Sequence, residues 1–548
     1  MAQPATLPPE VELEDILPRS STIELPDAFP PEELPELDLP PSEESDAPLF
    51  DLPSSPAEQF RIGEIVLLGM TLSPGQLQVS HNGEIQTVEA LVANLEGQLV
   101  TLEDLLALRG LITEAYIKAG YITSGAFIPE QDFEAGGAVS IQIVEGALEQ
   151  IEIAGLSKLR SGYVRSRIRA HTARPLNQAD IEKALQLLQI DPLIETVNAQ
   201  LLPGSGAGQS VLLLTLEEVS PWRAGISANN YRSPLVGSAQ LTPYVGYDNV
   251  LGVGDRLDLT YSLTEGLNSY SLRYSVPVNA YDGTLTVSLA NGQNRIVEDK
   301  FDDLEAAGSS SSYSVGFRQP LVRSPNQEFA LGLAFDLQRS ESTIAGGELS
   351  FPSSNVSALR FSQDWVDRTP KRVLAARSQF NLGLDIFDAT RSDITPDGQF
   401  FSWQGQFQWV QQLPKNQLLL TRVSSQLTPD ALLSLEQFSL GGINTVRGYR
   451  ENQLLRDNGL AASVEMRFPL LAQPDVLQIA PFIEGGVGWN SGEPSSVDSL
   501  LSVGTGLLWQ IDSRTKLRLD YGYALTDVDT DRNSLQENGF SFSLDWAL

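Results

Sequence analysis

Apolar residues recur at two different periods along this chain, and the change of period divides it. From Phe60 the stretch "FRIGEIVLLG" reads as a strand, and "TLEDLLALRGLITEAYIKAGY" then places Leu105, Leu108, Ile112 and Tyr116 at helical spacing. Thr101 and Asp104 form a capping-box pattern at its start, and Gly120 supplies the stop. "AVSIQIVEG" alternates Val139, Ile141 and Ile143 as a half-buried strand. A second unit repeats the plan: "LEQIEIAG" as a strand, helices around 158–170 and 177–189, then "TVNAQLL" and "SVLLLTLEE" as paired strands. Two strand-helix-helix-strand-strand modules therefore fit 56–146 and 147–218.

After Pro221 the helical period disappears. All seven tryptophans lie beyond it, and about sixteen candidate strands, separated by Gly, Asn, Asp and Ser turns, fill residues 219–548. The last strand puts Phe540, Phe542, Leu544, Trp546 and Leu548 on one face, and Ser541, Ser543, Asp545 and Ala547 on the other. An apolar edge strand invites aggregation, and closure into a barrel removes the edge. An apolar outer band around a polar lumen uses both faces in a membrane. A soluble β-protein is the other arrangement this pattern allows.

Residues 1–55 hold twelve prolines and fourteen acidic residues against one basic residue, Arg19. Such a segment buries too little apolar surface to offset its ordering entropy and reads as an extended linker. Its one helix-like patch, "VELEDIL" (11–17), is closed by Pro18 and reads as a transient turn. The N-terminus lacks the basic and apolar regions of a secretory signal, so Met1 reads as preceding an already processed sequence. The net charge of −34 argues against nucleic acid as a partner, because phosphate contacts need clustered Lys and Arg. The absence of cysteine removes disulfides, thiolate metal sites and thiol nucleophiles together. Apolar runs such as "VLLLTL" fall short of a spanning helix, which leaves strands as the means of crossing a membrane.

Catalytic candidates are sparse. His81 and His171 stand without a paired ligand or a nucleophile elbow and read as surface residues. "DVDTDRN" starts like a calcium loop at Asp527, Asp529 and Asp531, but Arg532 replaces the glycine and Asn538 the bidentate Glu, so no metal is expected. "GSGAG" (204–208) is a hairpin turn without the lysine of a phosphate loop. The basic stretch 158–174 fits either a solvated helix face or a docking surface for a client.

Two motifs carry a resemblance. "LSLEQFSLGGINTVRGYRENQLLRDNGLAASVEMRFPL" resembles the lid-loop region of two-partner secretion transporters, with the V-R-G-Y tip present as Val446, Arg447, Gly448 and Tyr449. "AYIKAGYITSGAFIPEQDFEAGGAVSIQIVEGALEQIEIAG" resembles the end of the family's first POTRA (polypeptide-transport-associated) module. There Gly120, Tyr121, Ile128, Pro129 and Gln131 belong to a nearly complete G-Y-x-x-S-x-A-x-I-P-x-Q pattern, with Gly125 lying between Ser124 and Ala126. The family's F-x-D-x-G barrel-wall motif has its counterpart in Phe482, Glu484 and Gly486, with Glu in place of Asp. Strand alternation sets these three on one face, and the planar fork of Arg447 suits a carboxylate there. A surface loop merely capped by Arg447 is the alternative.

The resemblance covers 56–548 and implies two α+β POTRA modules followed by a sixteen-stranded antiparallel transmembrane barrel in the outer membrane. Linker and modules would lie in the periplasm. Strand parity puts a lid loop, 441–458, between strands eleven and twelve. The implied activity is export of an unfolded exoprotein, adhesin-like or haemolysin-like, without nucleotide hydrolysis, cofactor or catalytic residue. Outer-membrane lipid and the barrel assembly machinery would be further partners. The family's N-terminal plug helix is in doubt for this Pro-rich start. An insertase of the same superfamily is the alternative function, while a barrel enzyme or adhesin would need a catalytic constellation or long surface loops.

Overall fold

The computed structural model describes residues 37–38, 59–81, 84–133, 136–298, 305–344, 349–350, 353–391, 396–492, 497–528 and 533–548. The "VELEDIL" patch lies outside them, as do Asp529 and Asp531 of the calcium-like loop. The chain forms two units, Glu33–Val219 and one containing Ser220–Leu548.

The first unit holds two small α+β modules. In the first, Glu64–Leu68 pairs in parallel with Ala138–Val144, which pairs on its other side with Gly125–Phe127. Helices α1 (Val88–Leu95) and α2 (Leu102–Lys118) accompany this sheet. α2 starts where expected: Thr101 Oγ1 accepts from Asp104 N at 3.2 Å, and the Asp104 carboxylate accepts from Thr101 N at 2.7 Å. The Thr101 backbone N–H and hydroxyl, both donating to it, hold the Asp104 carboxyl below its ordinary pKa. Leu105, Leu108, Ile112 and Tyr116 are buried in one apolar cluster with Val139, Ile141 and Ile143. The helix stops at Gly120, whose φ of +89° lets its N–H reach Ile117 O while Tyr121 N reaches Tyr116 O. A hairpin, Gln78–His81 with Glu84–Thr87, adds to the expected plan.

In the second module α3 (Ser161–His171) and α4 (Gln178–Gln189) bury Val164, Ile168, Ile181, Leu185 and Leu188 against the sheet residues Ile151, Leu212 and Leu214. Its sheet runs Ala147–Ala154, Gln209–Glu218, Ile194–Pro203 and then Leu37–Asp38. Leu37 and Asp38, two residues of the segment read as a free linker, pair in parallel with Ala199 and Gln200.

The second unit is a closed antiparallel barrel of sixteen strands. They are β1 (Trp222–Asn229), β2 (Gln240–Asp248), β3 (Arg256–Leu263), β4 (Leu267–Pro277), β5 (Thr284–Arg295), β6 (Ala307–Arg323), β7 (Gln327–Ile344) and β8 (Ser354–Thr369). The ring continues with β9 (Arg372–Gly383), β10 (Phe401–Leu413), β11 (Gln417–Leu427), β12 (Asn458–Pro469), β13 (Leu477–Trp489), β14 (Asp498–Gln510), β15 (Thr515–Ala524) and β16 (Phe540–Ala547). A two-residue strand, Leu349–Ser350, also pairs with the end of β7. β1 closes on β16 with Ile226 opposite Trp546 and Ala228 opposite Leu544, so the apolar last strand has no free edge.

Alternation sorts the two faces. Leu257, Leu259 and Tyr261 on β3, Tyr313, Val315 and Phe317 on β6, and Leu544 and Trp546 on β16 are exposed outward. Polar residues such as Asp336, Gln379, Asn381 and Ser502 are buried inward. An outer face of this kind is stable only against hydrocarbon, and barrel closure satisfies its backbone. No described helix is long and apolar enough to cross a membrane. Connections at the end where the barrel chain begins are short, such as 324–326, 370–371 and 414–416, whereas at the far end β11 and β12 are joined by the thirty residues 428–457.

Candidate functional site

The long connection does not stand clear of the barrel. Phe438–Leu440 pairs with Leu454–Arg456 as a two-stranded stem, and the chain between them turns inward. Thr445 braces the neck: its Oγ1 accepts from Gly441 N at 2.9 Å and donates to Gly441 O at 3.0 Å. Val446 is fully buried in a cluster with Phe438, Leu440, Tyr449, Ala461 and Leu500, which joins the loop to the inner wall.

Arg447 is 4% exposed and lies amid carboxylates of three strands. Its Nε and Nη2 donate to Glu484 Oε1 at 3.0 and 2.6 Å, and its backbone N–H donates to Glu484 Oε2 at 2.7 Å. Nη1 reaches Glu465 Oε2 at 2.9 Å and Asp520 Oδ1 at 2.7 Å. The guanidinium carbon lies 3.5 Å from the centroid of the Phe482 ring, an added cation–π contact. Phe482 and Glu484 are buried inward on β13, while Ile483 between them is exposed outward. Gly486, on the same face, leaves room for Leu440: a Cβ there would lie 2.5 Å from Leu440 Cδ2.

Gly448 has φ +95°, and a Cβ on it would lie 2.9 Å from the carbonyl carbon and oxygen of Gly522 on β15. Two backbones meet here without side chains, which brings the loop tip against the wall. The buried Tyr449 hydroxyl has one proton to give, with Leu501 O at 2.7 Å and Thr526 O at 3.1 Å as acceptors, and it accepts from Thr526 N at 3.0 Å. The four positions of V-R-G-Y thus divide the work of seating the loop, as apolar seat, ion pair, close approach and hydroxyl anchor in turn.

Sequence reasoning did not find Glu465 on β12 or Asp520 on β15, nor the arginines that accompany them. Arg467 Nε donates to Glu465 at 2.8 Å, while Arg518 joins Glu465 at 2.9 Å and Asp520 at 2.7 Å. The signal was present in "EMR" and "RLD": opposite charges two apart on an inward strand face, where a membrane barrel has no use for charge except within its lumen.

The POTRA motif residues belong to the other unit and build its sheet. The Gln131 amide donates to Ser140 O at 2.7 Å and accepts from Ser140 N at 2.8 Å, as a neighbouring strand would. Tyr121, Ile128 and Phe60 pack on the module core, and Pro129 precedes Gln131 by two residues. Ser124 Oγ accepts from Gly146 N at 2.8 Å. Glu145, beside it, accepts from Thr71 N at 2.8 Å, Leu72 N at 3.2 Å and the Tyr116 hydroxyl at 2.9 Å. Partial burial raises the Glu145 pKa, but these donors outweigh it and hold the carboxyl below its ordinary value. Burial and the adjacent carboxylate push the Tyr116 phenol up. In the basic stretch, Arg167 is buried with its guanidinium 3.5 Å from the Tyr163 ring centroid. Among the described residues no group of His, Asp and Glu side chains is placed to hold a metal.

Residues 208–508 match the family model of the haemolysin secretion/activation proteins ShlB/FhaC/HecB, and 71–146 match the ShlB-type POTRA domain. The chain is 25% identical to the outer membrane transporter CdiB of Escherichia coli O6:K15:H31, over 76% of its length and 73% of the relative's. It is 24% identical to the heme/hemopexin transporter protein HuxB of Haemophilus influenzae, over 80% of its length and 81% of HuxB. It is 24% identical to the hemolysin transporter protein HpmB of Proteus mirabilis, over 67% of its length and 66% of HpmB. The fold is that of CdiB from Escherichia coli, with a TM-score of 0.68 at 22% identity, covering 91% of this chain and 92% of the other. BamA of Haemophilus ducreyi lacking POTRA domains 1–3 gives a TM-score of 0.54 at 14% identity, covering 90% of this chain and all of the other. The chain belongs to the haemolysin secretion/activation family ShlB/FhaC/HecB, as a sixteen-stranded outer-membrane barrel preceded by periplasmic POTRA modules.

Proposed function

We propose that this protein exports an unfolded exoprotein through its barrel, with the loop 441–458 as a lid that must yield. The observation that carries this reading is the loop seated in the lumen by Arg447, on a barrel whose family serves secretion. With the modules in the periplasm, the near end of the barrel lies inside and the 428–457 connection outside. The loop therefore starts at the cell surface and folds back into the pore.

The client adds as a strand to an outer strand of the POTRA sheets, through backbone hydrogen bonds that are largely indifferent to sequence. Glu64–Leu68 and Ala147–Ala154 are such outer strands. No nucleotide hydrolysis is invoked; folding of the client outside supplies the direction of movement. The relatives named for heme/hemopexin and haemolysin transport support a secreted protein as the client class.

The test is secretion of a candidate exoprotein from a Gram-negative host with the protein intact, absent, or carrying Arg447→Ala. Export with the intact protein alone is expected. Unimpaired export by Arg447→Ala refutes the lid, and loss of other barrels from the membrane on deletion assigns an insertase instead.

A further inference from the structure

The 428–457 connection that bears this loop carries a second buried ion cluster of inverted polarity, on another part of the wall. Glu436 sits in a short helical turn, Ser434–Glu436, on the arm that leads from β11 to the tip, eleven residues before Arg447. Its carboxylate receives both ends of the Arg360 fork: Nη1 to Oε2 at 3.0 Å and Nη2 to Oε1 at 2.7 Å. Arg360, on β8, also donates Nε to Asp336 Oδ2 on β7 at 2.5 Å, and Ser314 Oγ of β6 donates to Asp336 Oδ1 at 2.5 Å. Arg360, Asp336 and Glu436 are all buried, at 9, 7 and 5% exposure.

Apolar contacts hold the same arm. Leu435 packs against two apolar clusters, one of Val356, Ala358, Phe400, Leu432 and Leu433 and one of Val236 and Leu267. In the ring of sixteen, β8 with Arg360 lies four, five and seven strands from β12, β13 and β15, which carry Glu465, Glu484 and Asp520.

From this placement we infer that the loop is a crossbar latched at both ends, and that Arg360 and Glu436 form a second latch which must release for the pore to open. At the tip the loop supplies the arginine and the wall the carboxylates; at the arm the wall supplies the arginine and the loop the carboxylate. Exchanged ends would bring like charges together, so the two latches also set the direction in which the loop enters the lumen. Arg360 and Glu436 are positioning residues acting through the loop, and this role rests on the reading of the loop as the closure of the pore.

The test uses purified full-length protein in planar lipid bilayers, with no client present, so that conductance is read apart from export. Glu436→Gln is the informative variant, since it is isosteric, lies outside the barrel strands, and leaves Arg360 paired with Asp336. It is expected to raise the open fraction by about tenfold or more, because one charge of a buried pair is lost. The inverted pair Arg360→Glu/Glu436→Arg sets the introduced arginine against the introduced glutamate and Asp336, and is expected to return the open fraction toward the intact value. A heat-modifiable band on electrophoresis checks that each barrel is folded. Folded Glu436→Gln that stays as silent as the intact protein, while Arg447→Ala opens, overturns the second latch alone. Silence of both variants overturns the closure reading itself.

Discussion

Replacing Arg447 by Ala removes the guanidinium shared by three carboxylates, but the loss does not fall equally on them. Glu465 keeps Arg467 at 2.8 Å and Arg518 at 2.9 Å, and Asp520 keeps Arg518 at 2.7 Å. Glu484, 4% exposed, takes its ion pairing among the described residues from Arg447 alone. The substitution therefore strands one buried carboxylate, at a cost of about 3 to 5 kcal/mol when water is excluded. Unseating the loop lets water reach Glu484 and relieves that cost. At about 1.4 kcal/mol per tenfold, the seated state loses two to three and a half powers of ten against the unseated one. Adding Glu484→Gln neutralises the stranded charge and should recover part of the loss.

A thiol reports this directly, because the chain holds no cysteine and Val446, at the loop tip, is fully buried against the inner wall. The modification rate of Val446→Cys should rise about a hundredfold in Arg447→Ala, the lower end of that range. Arg447→Ala/Glu484→Gln should fall about tenfold below Arg447→Ala. An unchanged rate in a folded Arg447→Ala barrel would refute the reasoning, and equal rates in the single and double variants would refute the assignment of the cost to Glu484.

The remaining predictions concern smaller parts. Gly448→Ala places a Cβ 2.9 Å from Gly522 backbone at φ +95°, so the left-handed penalty of about 1 to 2 kcal/mol adds to a backbone clash. It should raise Val446→Cys labelling even with Arg447 intact; a rate equal to that of the parent would show that the tip does not need the close approach. Gln131→Ala removes both partners of the Ser140 backbone and should destabilise the first module by about 1 to 3 kcal/mol, seen as faster hydrogen exchange at Ser140. Exchange at Ser140 indistinguishable from the parent's would refute it. The Glu145 carboxyl has a folded pKa below its unfolded value of about 4.3, so its contribution is complete above that value and is lost as pH falls through the lower folded pKa. Exchange in α2 should therefore accelerate below about pH 4.3 in the parent, and Glu145→Gln should flatten that dependence; the same acid response in both would exclude Glu145 as its source.

The periods of the chain, mixed 3.6 and 2 between Phe60 and Glu218 and 2 alone after Pro221, were enough to separate helix-bearing modules from a barrel of about sixteen strands. The capping box at Thr101 and Asp104, and the stop at Gly120, are contacts over a few residues, and sequence determines such contacts directly. Alternation also told which face Phe482 and Glu484 share. What alternation cannot carry is height and partnership across the ring. Asp520 lies 73 residues from Arg447, and Glu436 lies 76 from Arg360. These meetings depend on the stagger of sixteen strands and on the path of one loop, which are properties of the closed sheet as a whole. The hairpin at 78–87 and the pairing of Leu37–Asp38 were missed for a related reason. Short polar strands have no periodic signature of their own and form where a neighbouring edge offers backbone partners. Sequence thus determined which residues face inward and which motif would enter the lumen. Tertiary structure decided which charges meet there, because only barrel closure brings β15 beside the loop tip and β7 and β8 beside its arm.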